Sequence, residues 1–216
     1  MSLSKKIVAL SNRLTSRFRE QVYSDYPTAD FEEKHLGNLR PVPTRMDMLE
    51  LLPKNAIVAE IGVNKGDFSN EILIRCTPEK FFLIDIWGSK RYHGGLYKTV
   101  KSRFAKQIEN GQLQIVRELS YDGIASFADQ FFDWVYLDTD HSYETTRREL
   151  ELLRPKMKPG GIIAGHDYII GNWNGGVRYG VIEAVREFCL TYDWELIYRT
   201  HELEIPPSFA IRKIQA

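Results

Sequence analysis

Two short clusters of aspartate and histidine are the residues of this sequence best suited to chemistry. Each cluster directly follows an apolar run, either Phe132–Leu137 or Gly161–Ala164. The members are Asp138, Asp140 and His141 after the first run, and His166 and Asp167 after the second. Carboxylates placed so close together repel one another unless hydrogen-bond donors, a divalent cation or raised pKa values compensate. Oxygen and nitrogen donors without a cysteine favour Mg²⁺ or Mn²⁺, so the clusters predict a divalent-metal site.

The two clusters meet only if the apolar runs before them are neighbouring strands. From Ala56 onward, short β-type runs alternate with longer segments of helical period, which predicts a Rossmann-like, doubly wound α/β fold. Its sheet is expected to be mostly parallel, with helices on both faces. The seven predicted strands are Ala56–Ile61, Phe81–Ile86, Leu113–Val116, Phe132–Leu137, Gly161–Ala164, Trp194–Tyr198 and Ser208–Ile211. Ligands of such sheets bind at the carboxyl ends of the strands, where both clusters lie.

Helical periodicity and chain-breaking residues divide the rest of the sequence. The predicted helices are Lys5–Val22, Phe68–Arg75, Tyr97–Ile108, Tyr121–Ala128, Tyr143–Leu153 and Val177–Tyr192. The run Lys158-Pro159-Gly160-Gly161 predicts a stop before the fifth strand. Residues 1–53 are predicted to be an N-terminal extension, partly helical, whose proline-punctuated stretch Arg40–Arg45 helices avoid.

The first predicted strand runs into a glycine-bearing loop and then into a helix that starts near Phe68. Gly62 lets the backbone approach a ligand closely, Asn64 tolerates a left-handed φ, and Gly66 permits tight packing at the helix start. The spacing differs from the Gly-x-Gly-x-x-Gly of dinucleotide sites, and the loop lacks the Gly-Lys-Ser/Thr of phosphate-binding loops. The loop therefore predicts a cradle for a small molecule other than a pyrophosphate.

An acidic residue ends the second predicted strand, 25 residues after Glu60. A carboxylate at Asp85 can accept hydrogen bonds from both hydroxyls of a ribose. The alternative is that Glu60 and Asp85 only cap their loops. Trp87, two residues further on, suits either contact with an adenine ring or a place in the hydrophobic core.

With Glu60 two residues before Gly62, the loop Glu60-Ile61-Gly62-Val63-Asn64-Lys65-Gly66 resembles the first motif of class I S-adenosylmethionine-dependent methyltransferases. The resemblance implies S-adenosylmethionine as cofactor, with Glu60 facing its amino-acid end. Where this chain has Asn64, the family often has glycine. The resemblance covers about Ala56–Ile211, so residues 54–216 are expected to form the methyltransferase domain. The cofactor-binding residues it implies are Glu60, Gly62, Asn64, Gly66, Phe68, Asp85, Trp87, Ser120 and Asp138.

The two clusters resemble, more narrowly, a metal-dependent branch that includes catechol O-methyltransferase and the sugar O-methyltransferases of macrolide and aminocoumarin biosynthesis. The resemblance implies Asp138, His166 and Asp167 as ligands of Mg²⁺ or Mn²⁺, although His166 stands where the branch usually has an acid or amide. It also implies His141, three positions after Asp138, as the general base that takes a proton from a hydroxyl, with Asp138 as a second catalytic residue. The implied acceptor is a small hydroxylated metabolite, a sugar or a phenol.

Several alternatives stay open on the sequence. Asp140 also suits a cap for the following helix, His141 also suits a structural role, and a metal-free site would leave His141 to act alone. The alternative functions are a metal-independent N- or carboxyl-methyltransferase and a nucleotide-binding or oxidoreductase Rossmann protein. The missing Gly-x-Gly-x-x-Gly counts against an oxidoreductase.

Two segments are expected to cover the acceptor on the substrate side. One is the extension near Arg40–Arg45, and the other is the loop Ile170–Tyr179. The loop contains glycines, Trp173 and Arg178, which predicts a lid that stacks on a ring and binds an anionic group. The alternative is an ordinary surface loop.

The composition favours a cytoplasmic protein that acts on a small molecule. Lys and Arg number 29 and Asp and Glu also number 29, so no global field recruits nucleic acid or an anionic membrane. Cys76 and Cys189 are predicted to be reduced thiols in the core. No apolar run approaches about 18 residues, which argues against a membrane span or a signal peptide. The sequence leaves a homo-oligomer open.

Overall fold

The computed structural model of the protein describes residues 3–23, 26–172 and 177–215. The strands of its main sheet are β1 (Arg40–Val42), β2 (Ile57–Ile61), β3 (Lys80–Ile84), β4 (Leu113–Val116), β5 (Phe132–Leu137), β6 (Met157–Gly165), β9 (Trp194–Thr200) and β10 (Phe209–Lys213). A separate hairpin pairs β7 (Gly171–Asn172) with β8 (Val177–Arg178). The helices are α1 (Leu3–Tyr23), α2 (Arg45–Leu51), α3 (Asp67–Cys76), α4 (Gly94–Arg103), α5 (Ala105–Glu109), α6 (Ser120–Ala125), α7 (Tyr143–Lys156) and α8 (Val181–Tyr192), with a 3₁₀ turn at Glu33–His35.

The main sheet has the order β1-β9-β10-β6-β5-β2-β3-β4. All of its neighbouring strands run parallel except for β10, which is antiparallel to both β6 and β9. One hydrophobic core lies between one face of the sheet and α2, α3 and α4, and a second lies between the other face and α6, α7 and α8. The predicted doubly wound α/β fold is therefore confirmed.

The sheet has one more strand than the seven predicted. The additional strand, β1, comes from the proline-punctuated stretch and pairs in parallel with β9, Val42 lying opposite Thr200. Pro41 is tolerated there because β1 is an edge strand, where a residue without an amide hydrogen leaves no partner unsatisfied. Thr44 then caps α2 by accepting a hydrogen bond from the Asp47 amide. The predicted boundary at residue 53, between the N-terminal extension and the domain that follows it, stays a prediction.

Most element boundaries shift by a few residues, and three differences change an element itself. The expected helix Tyr97–Ile108 is broken at Phe104, whose buried ring packs against Gly66. Val177 belongs to β8, and α8 begins only at Val181, after its N-cap Gly180, whose amide donates to the carbonyl of His141. The predicted stop at Lys158–Gly161 lies inside β6, where a shift in register against β5 accommodates it.

Two further expectations concern the cysteines and the membrane. Cys76 and Cys189 are buried free thiols, as predicted. Within the described ranges, no helix has both the length and the apolar character needed to cross a membrane.

The four central strands end in one common row. Ile61 of β2 pairs with Ile84 of β3 and with Leu137 of β5, and Leu137 pairs in turn with Gly165 of β6. The residues that follow this row are Gly62, Asp85, Asp138 and His166. The register thus places the glycine loop and the acidic clusters at the same edge of the sheet.

Gly62 is the tightest point of this edge. It has a φ of +90°, and a Cβ built on it would lie 1.9 Å from the carbonyl oxygen of Asp138. No side chain fits between the two strand ends, so Gly62 is required both for its φ and for the close approach.

We expect Gly62→Ala to lower the free energy of unfolding by more than about 2 kcal/mol, because the methyl group adds a backbone clash to the cost of a positive φ. Gly111→Ala is the matched control, since Gly111 also has a positive φ, +74°, but its nearest neighbour is the flexible Lys80 Nζ at 4.0 Å. Urea unfolding of both variants measures the difference. Equal losses would contradict the assignment of the clash.

Candidate functional site

The glycine loop is tied down by the acid that follows β3. Oδ2 of Asp85 accepts hydrogen bonds from the amides of Val63, at 2.9 Å, and Asn64, at 3.0 Å, and its Oδ1 accepts one from the amide of Trp87 at 2.8 Å. Asn64 adopts the left-handed conformation expected of it, with φ +56°, and Gly66 is the N-cap of α3 with φ +79°. Asp85 therefore shapes the loop in addition to any role toward a ribose.

Glu60 lies beneath this loop and is almost completely buried, with 1% of its surface exposed. Its carboxylate accepts a hydrogen bond from the hydroxyl of Ser69, on α3. Burial raises the pKa of Glu60 well above its usual value of 4.5, and the Ser69 hydroxyl opposes this rise. A cationic group placed against Glu60 would favour its ionised form.

The other residues expected to bind the cofactor differ in their exposure. Phe68 is buried in the first turn of α3, with its ring centroid 4.3 Å from that of Tyr136. Trp87 is 1% exposed and donates from Nε1 to the carbonyl of Asn64 at 2.6 Å. Ser120 is half-buried at the start of α6. Trp87 thus has a clear place in the core, and the cofactor contacts of all three stay predictions.

Asp167 is at the centre of the contacts between the two clusters. Its Oδ2 lies 2.8 Å from Nδ1 of His141 and 3.2 Å from Nδ1 of His166. The same nitrogen of His166 lies 3.8 Å from Oδ2 of Asp138. The structure therefore brings all four side chains together from the ends of two neighbouring strands.

The ionisation of this group follows from burial and from its own charges. Burial lowers the pKa of His141, but the hydrogen bond to Asp167 and the charge of Asp167 outweigh burial and raise that pKa above 6.5. Burial raises the pKa of Asp167, yet the two histidines hold it well below 3.8. Burial raises the pKa of Asp138 above 3.8, although His166 opposes the rise. The histidines thus supply part of the compensation that the clustered carboxylates need.

Three of these side chains form a set of potential metal ligands. Asp138, His141 and Asp167 each offer a ligand atom, and these atoms lie within 4.8 Å of one another. His166 lies beside this set and is not a member of it, and its Nε2 is buried without a hydrogen-bond partner. The set shares Asp138 and Asp167 with the predicted ligands, and it contains His141 where the sequence suggested His166.

Four residues at the site have a left-handed backbone, as have Asn55, Thr77, Gln130 and Asp193 elsewhere in the described structure. His141 and Asp167 have φ values of +64° and +57°, and Asn64 and Trp87 on the glycine-loop side have +56° and +45°. Non-glycine residues avoid this region at a cost of about 1 kcal/mol each. Such strain tends to persist where function requires a particular side-chain direction.

Asp140 points away from this group. It accepts hydrogen bonds from the Ser142 amide at 2.9 Å and from the Thr145 hydroxyl at 2.9 Å, in the first turn of α7. Ser142 is the N-cap of α7 and accepts from the Thr145 amide. The geometry favours the structural alternative for Asp140, that of a residue that stabilises a helix N-terminus.

Sequence reasoning missed a buried acid, Glu149 of α7. It is 1% exposed, and it lines a small cleft beneath the clusters. Its Oε2 accepts a hydrogen bond from the Thr139 hydroxyl at 2.9 Å, while its Oε1 is buried without a partner. The available signal was helical periodicity, since Glu149 lies on the same face as the buried residues Thr146, Leu150 and Leu153.

Sequence reasoning also missed Arg45 as a residue of the site. Arg45 is the first residue of α2, and its guanidinium carbon lies 4.6 Å from the centre of the Phe68 ring. Its charge acts on Glu60 and on Asp138. The N-terminal segment that was expected to cover the acceptor therefore places a cation beside the glycine loop.

The loop Ile170–Tyr179, the second segment expected to cover the acceptor, is described only in part. Trp173, Asn174, Gly175 and Gly176 lie outside the described residues. Arg178 donates to the carbonyls of Ile170 and Tyr179 and pairs with Glu183, and these contacts engage the guanidinium that was expected to bind an anion. The amide of Gly180 donates to the carbonyl of His141 at 2.9 Å, so the end of this loop is fixed to the site.

Comparison with known proteins identifies the class. The family described as Methyltransferase domain matches residues 59–168, just over half of the chain. Its matched region includes the glycine loop, Asp85 and both clusters. The chain therefore belongs to this family and is a methyltransferase.

Solved structures share the fold at low sequence identity. A protein assigned as an rRNA methylase from Clostridium thermocellum has a TM-score of 0.58 at 16% identity, over 87% of this chain and 99% of that one. A protein assigned as a methyltransferase from Streptococcus mutans, solved with SAH, has a TM-score of 0.55 at 14% identity, over 77% and 94%. Spermidine synthase from Thermotoga maritima has a TM-score of 0.56 at 16% identity, over 80% of this chain and 60% of that one.

A search of curated protein sequences finds no significant match. The family and the shared fold together support S-adenosylmethionine as the methyl donor.

The burial of Glu149 predicts how the free energy of unfolding depends on pH. Burial raises its pKa to about 7 from 4.5, so its neutral form stabilises the fold at low pH, and that contribution is lost as the pH rises through 7. Glu149→Gln stays neutral throughout. Relative to wild type, we expect this variant to gain about 1–3 kcal/mol between pH 5 and pH 8, as measured by urea unfolding at both pH values.

Glu151→Gln is the control, since Glu151 lies on the same helix with 40% of its side chain exposed and pairs with Arg147. It should change stability by nearly the same amount at both pH values. An equally pH-independent effect of Glu149→Gln would contradict the buried-acid assignment.

Proposed function

We propose that this chain is an S-adenosylmethionine-dependent O-methyltransferase that acts on a small hydroxylated metabolite, a sugar or a phenol, with assistance from a divalent cation. The observation that carries the proposal is the contact of 2.8 Å between His141 Nδ1 and Asp167 Oδ2. A histidine that donates from Nδ1 to a carboxylate keeps Nε2 as its basic nitrogen. Such a pair is suited to remove the proton of an acceptor hydroxyl.

The residues of the glycine loop fit the proposed cofactor. Gly62 and Gly66 hold the backbone open above β2, and Glu60 offers a buried carboxylate in need of a cationic partner. Asp138 lies next to Gly62 and acts electrostatically on Glu60. These groups would hold and orient the amino-acid end of the cofactor, whose sulfonium supplies the methyl group. A sulfonium is already a good leaving group, so the protein contributes mainly by positioning.

The donor set also fits a hard divalent cation. Carboxylate oxygens from Asp138 and Asp167 are the ligands that Mg²⁺ and Mn²⁺ prefer, and no cysteine lies among the group. In our assignment these two carboxylates hold the ion, and His141 is left as the base. When bound, the cation would supply acidification of the acceptor hydroxyl, whose own pKa is far too high for attack at neutral pH. His166 stays a predicted additional ligand.

His141 is held in place for its proposed task from three sides. Asp167 fixes its ring through Nδ1, the Gly180 amide fixes its backbone carbonyl, and the ring of Tyr179 lies 4.8 Å away. These contacts orient the imidazole toward the cleft. The same features support the metal-free alternative, in which His141 acts alone, so the two must be separated by experiment.

The test compares His141→Ala and Asp138→Ala for methyl transfer to a panel of phenols and sugars and for Mn²⁺ binding. His141→Ala is expected to lose about 10²- to 10⁴-fold in transfer while keeping Mn²⁺ affinity, because it removes only the base. Asp138→Ala is expected to lose both. Release of S-adenosylhomocysteine reports transfer, and electron paramagnetic resonance reports Mn²⁺.

Asp129→Asn is the control, because Asp129 is an exposed partner of Lys156 far from the clusters in the fold. Full activity of Asp138→Ala in the presence of a chelator would remove the metal from the proposal. Loss of Mn²⁺ binding in His141→Ala would assign His141 as a ligand. Transfer only to amines, carboxylates or RNA would contradict the proposed acceptor.

A further inference from the structure

Arg45 places a guanidinium among the carboxylates of the site without pairing with any of them. It packs over the ring of Phe68 and acts electrostatically on Tyr136, Glu60 and Asp138. Among the described residues, no carboxylate oxygen lies within 4.0 Å of its guanidinium nitrogens. The guanidinium is therefore held close to negative charge but keeps its capacity for a carboxylate ligand.

The Nε donor of Arg45 is buried and unpaired. Its Nε is inaccessible to solvent and has no hydrogen-bond partner. A buried donor without a partner costs free energy, so an orphaned Nε needs an explanation. This orphaned donor on the glycine-loop side of the sheet indicates that a ligand completes the contacts of Arg45.

The chemistry around Arg45 defines that ligand as a zwitterion. Glu60 and Asp138 suit an ammonium group, whereas a carboxylate in the same place would be repelled unless a cation neutralised it. The guanidinium fork matches a carboxylate with two parallel hydrogen bonds, and neither Lys nor an amide reproduces that geometry. A free amino acid end, with one ammonium and one carboxylate, satisfies both halves of the site.

We propose that Arg45 binds the α-carboxylate of the methionine moiety of S-adenosylmethionine, which makes α2 part of the cofactor site. This inference rests on the proposed function, since it assumes that cofactor. The N-terminal segment was expected only to cover the acceptor. The inference gives it a second role, which is to select the cofactor. The chain should therefore discriminate against adenosine thioethers that lack the carboxylate.

The test uses calorimetry with three ligands that differ only at the amino-acid end. They are S-adenosylhomocysteine, its decarboxylated analogue, and 5′-methylthioadenosine, which lacks both charged groups. Wild type should bind S-adenosylhomocysteine tightest. Arg45→Gln should weaken that ligand about 10- to 100-fold, because it removes one partner of a charged pair, and should change the affinity for the other two less than about 2-fold.

Two further variants keep the result interpretable. Arg45→Lys retains the charge without the fork, so it should recover part of the lost affinity for S-adenosylhomocysteine. Arg147→Gln is the control, because Arg147 lies on α7 with 43% of its side chain exposed and pairs with Glu151 of the same helix, and it should leave all three affinities unchanged. Thermal unfolding verifies that each variant is folded.

Each outcome decides the question. Equal weakening of all three ligands in Arg45→Gln would show that Arg45 only supports the fold of the site, which would overturn the inference. Unchanged binding of S-adenosylhomocysteine in Arg45→Gln would also overturn it. Failure of the wild type to bind any of the three ligands would instead refute the proposed cofactor, and the inference would fall with it.

Discussion

The parallel register of the four central strands is the constraint on which the rest of the site depends. Because Ile84, Ile61, Leu137 and Gly165 lie in one row, the chain leaves four neighbouring strands at the same level of the sheet. A shift of a strand by one residue would turn the next side chain to the opposite face. The site is thus built by strand pairing, and Gly62 is the point where that pairing leaves no space for a side chain.

Negative charge concentrated at such an edge has to be compensated, and the structure uses a different means for each acid. Backbone amides of the glycine loop surround Asp85, imidazoles flank Asp167, and burial with a single hydroxyl contact favours the neutral form of Glu60. Asp138 has a more distant partner, since its nearest histidine nitrogen, Nδ1 of His166, lies 3.8 Å away. Under our proposal, the cation and the cofactor complete the balance around Asp138 and Glu60.

The sequence predicted those parts of the molecule that depend on local pattern. The strands, the glycine loop and the acids at strand ends follow from apolar runs and the residues after them, and the family comparison confirms the methyltransferase class. The edge strand β1 could not be predicted, because Arg40–Val42 is stabilised by its pairing with β9, some 158 residues further along the chain. Arg45 was missed for the same reason, since only tertiary contacts place it above Phe68. Helical periodicity could have placed Glu149 on the buried face of α7. It was missed because a charged residue is ordinarily expected to be exposed.

Crystals of the protein grown with S-adenosylhomocysteine and Mn²⁺ test the central claim most directly. The claim is that one row of strand ends holds both the cofactor and the metal. The account predicts cofactor density along the loop from Glu60 to Gly66 and an anomalous Mn²⁺ peak within bonding distance of Asp138 and Asp167. Bound S-adenosylhomocysteine with no anomalous peak at these carboxylates would contradict it.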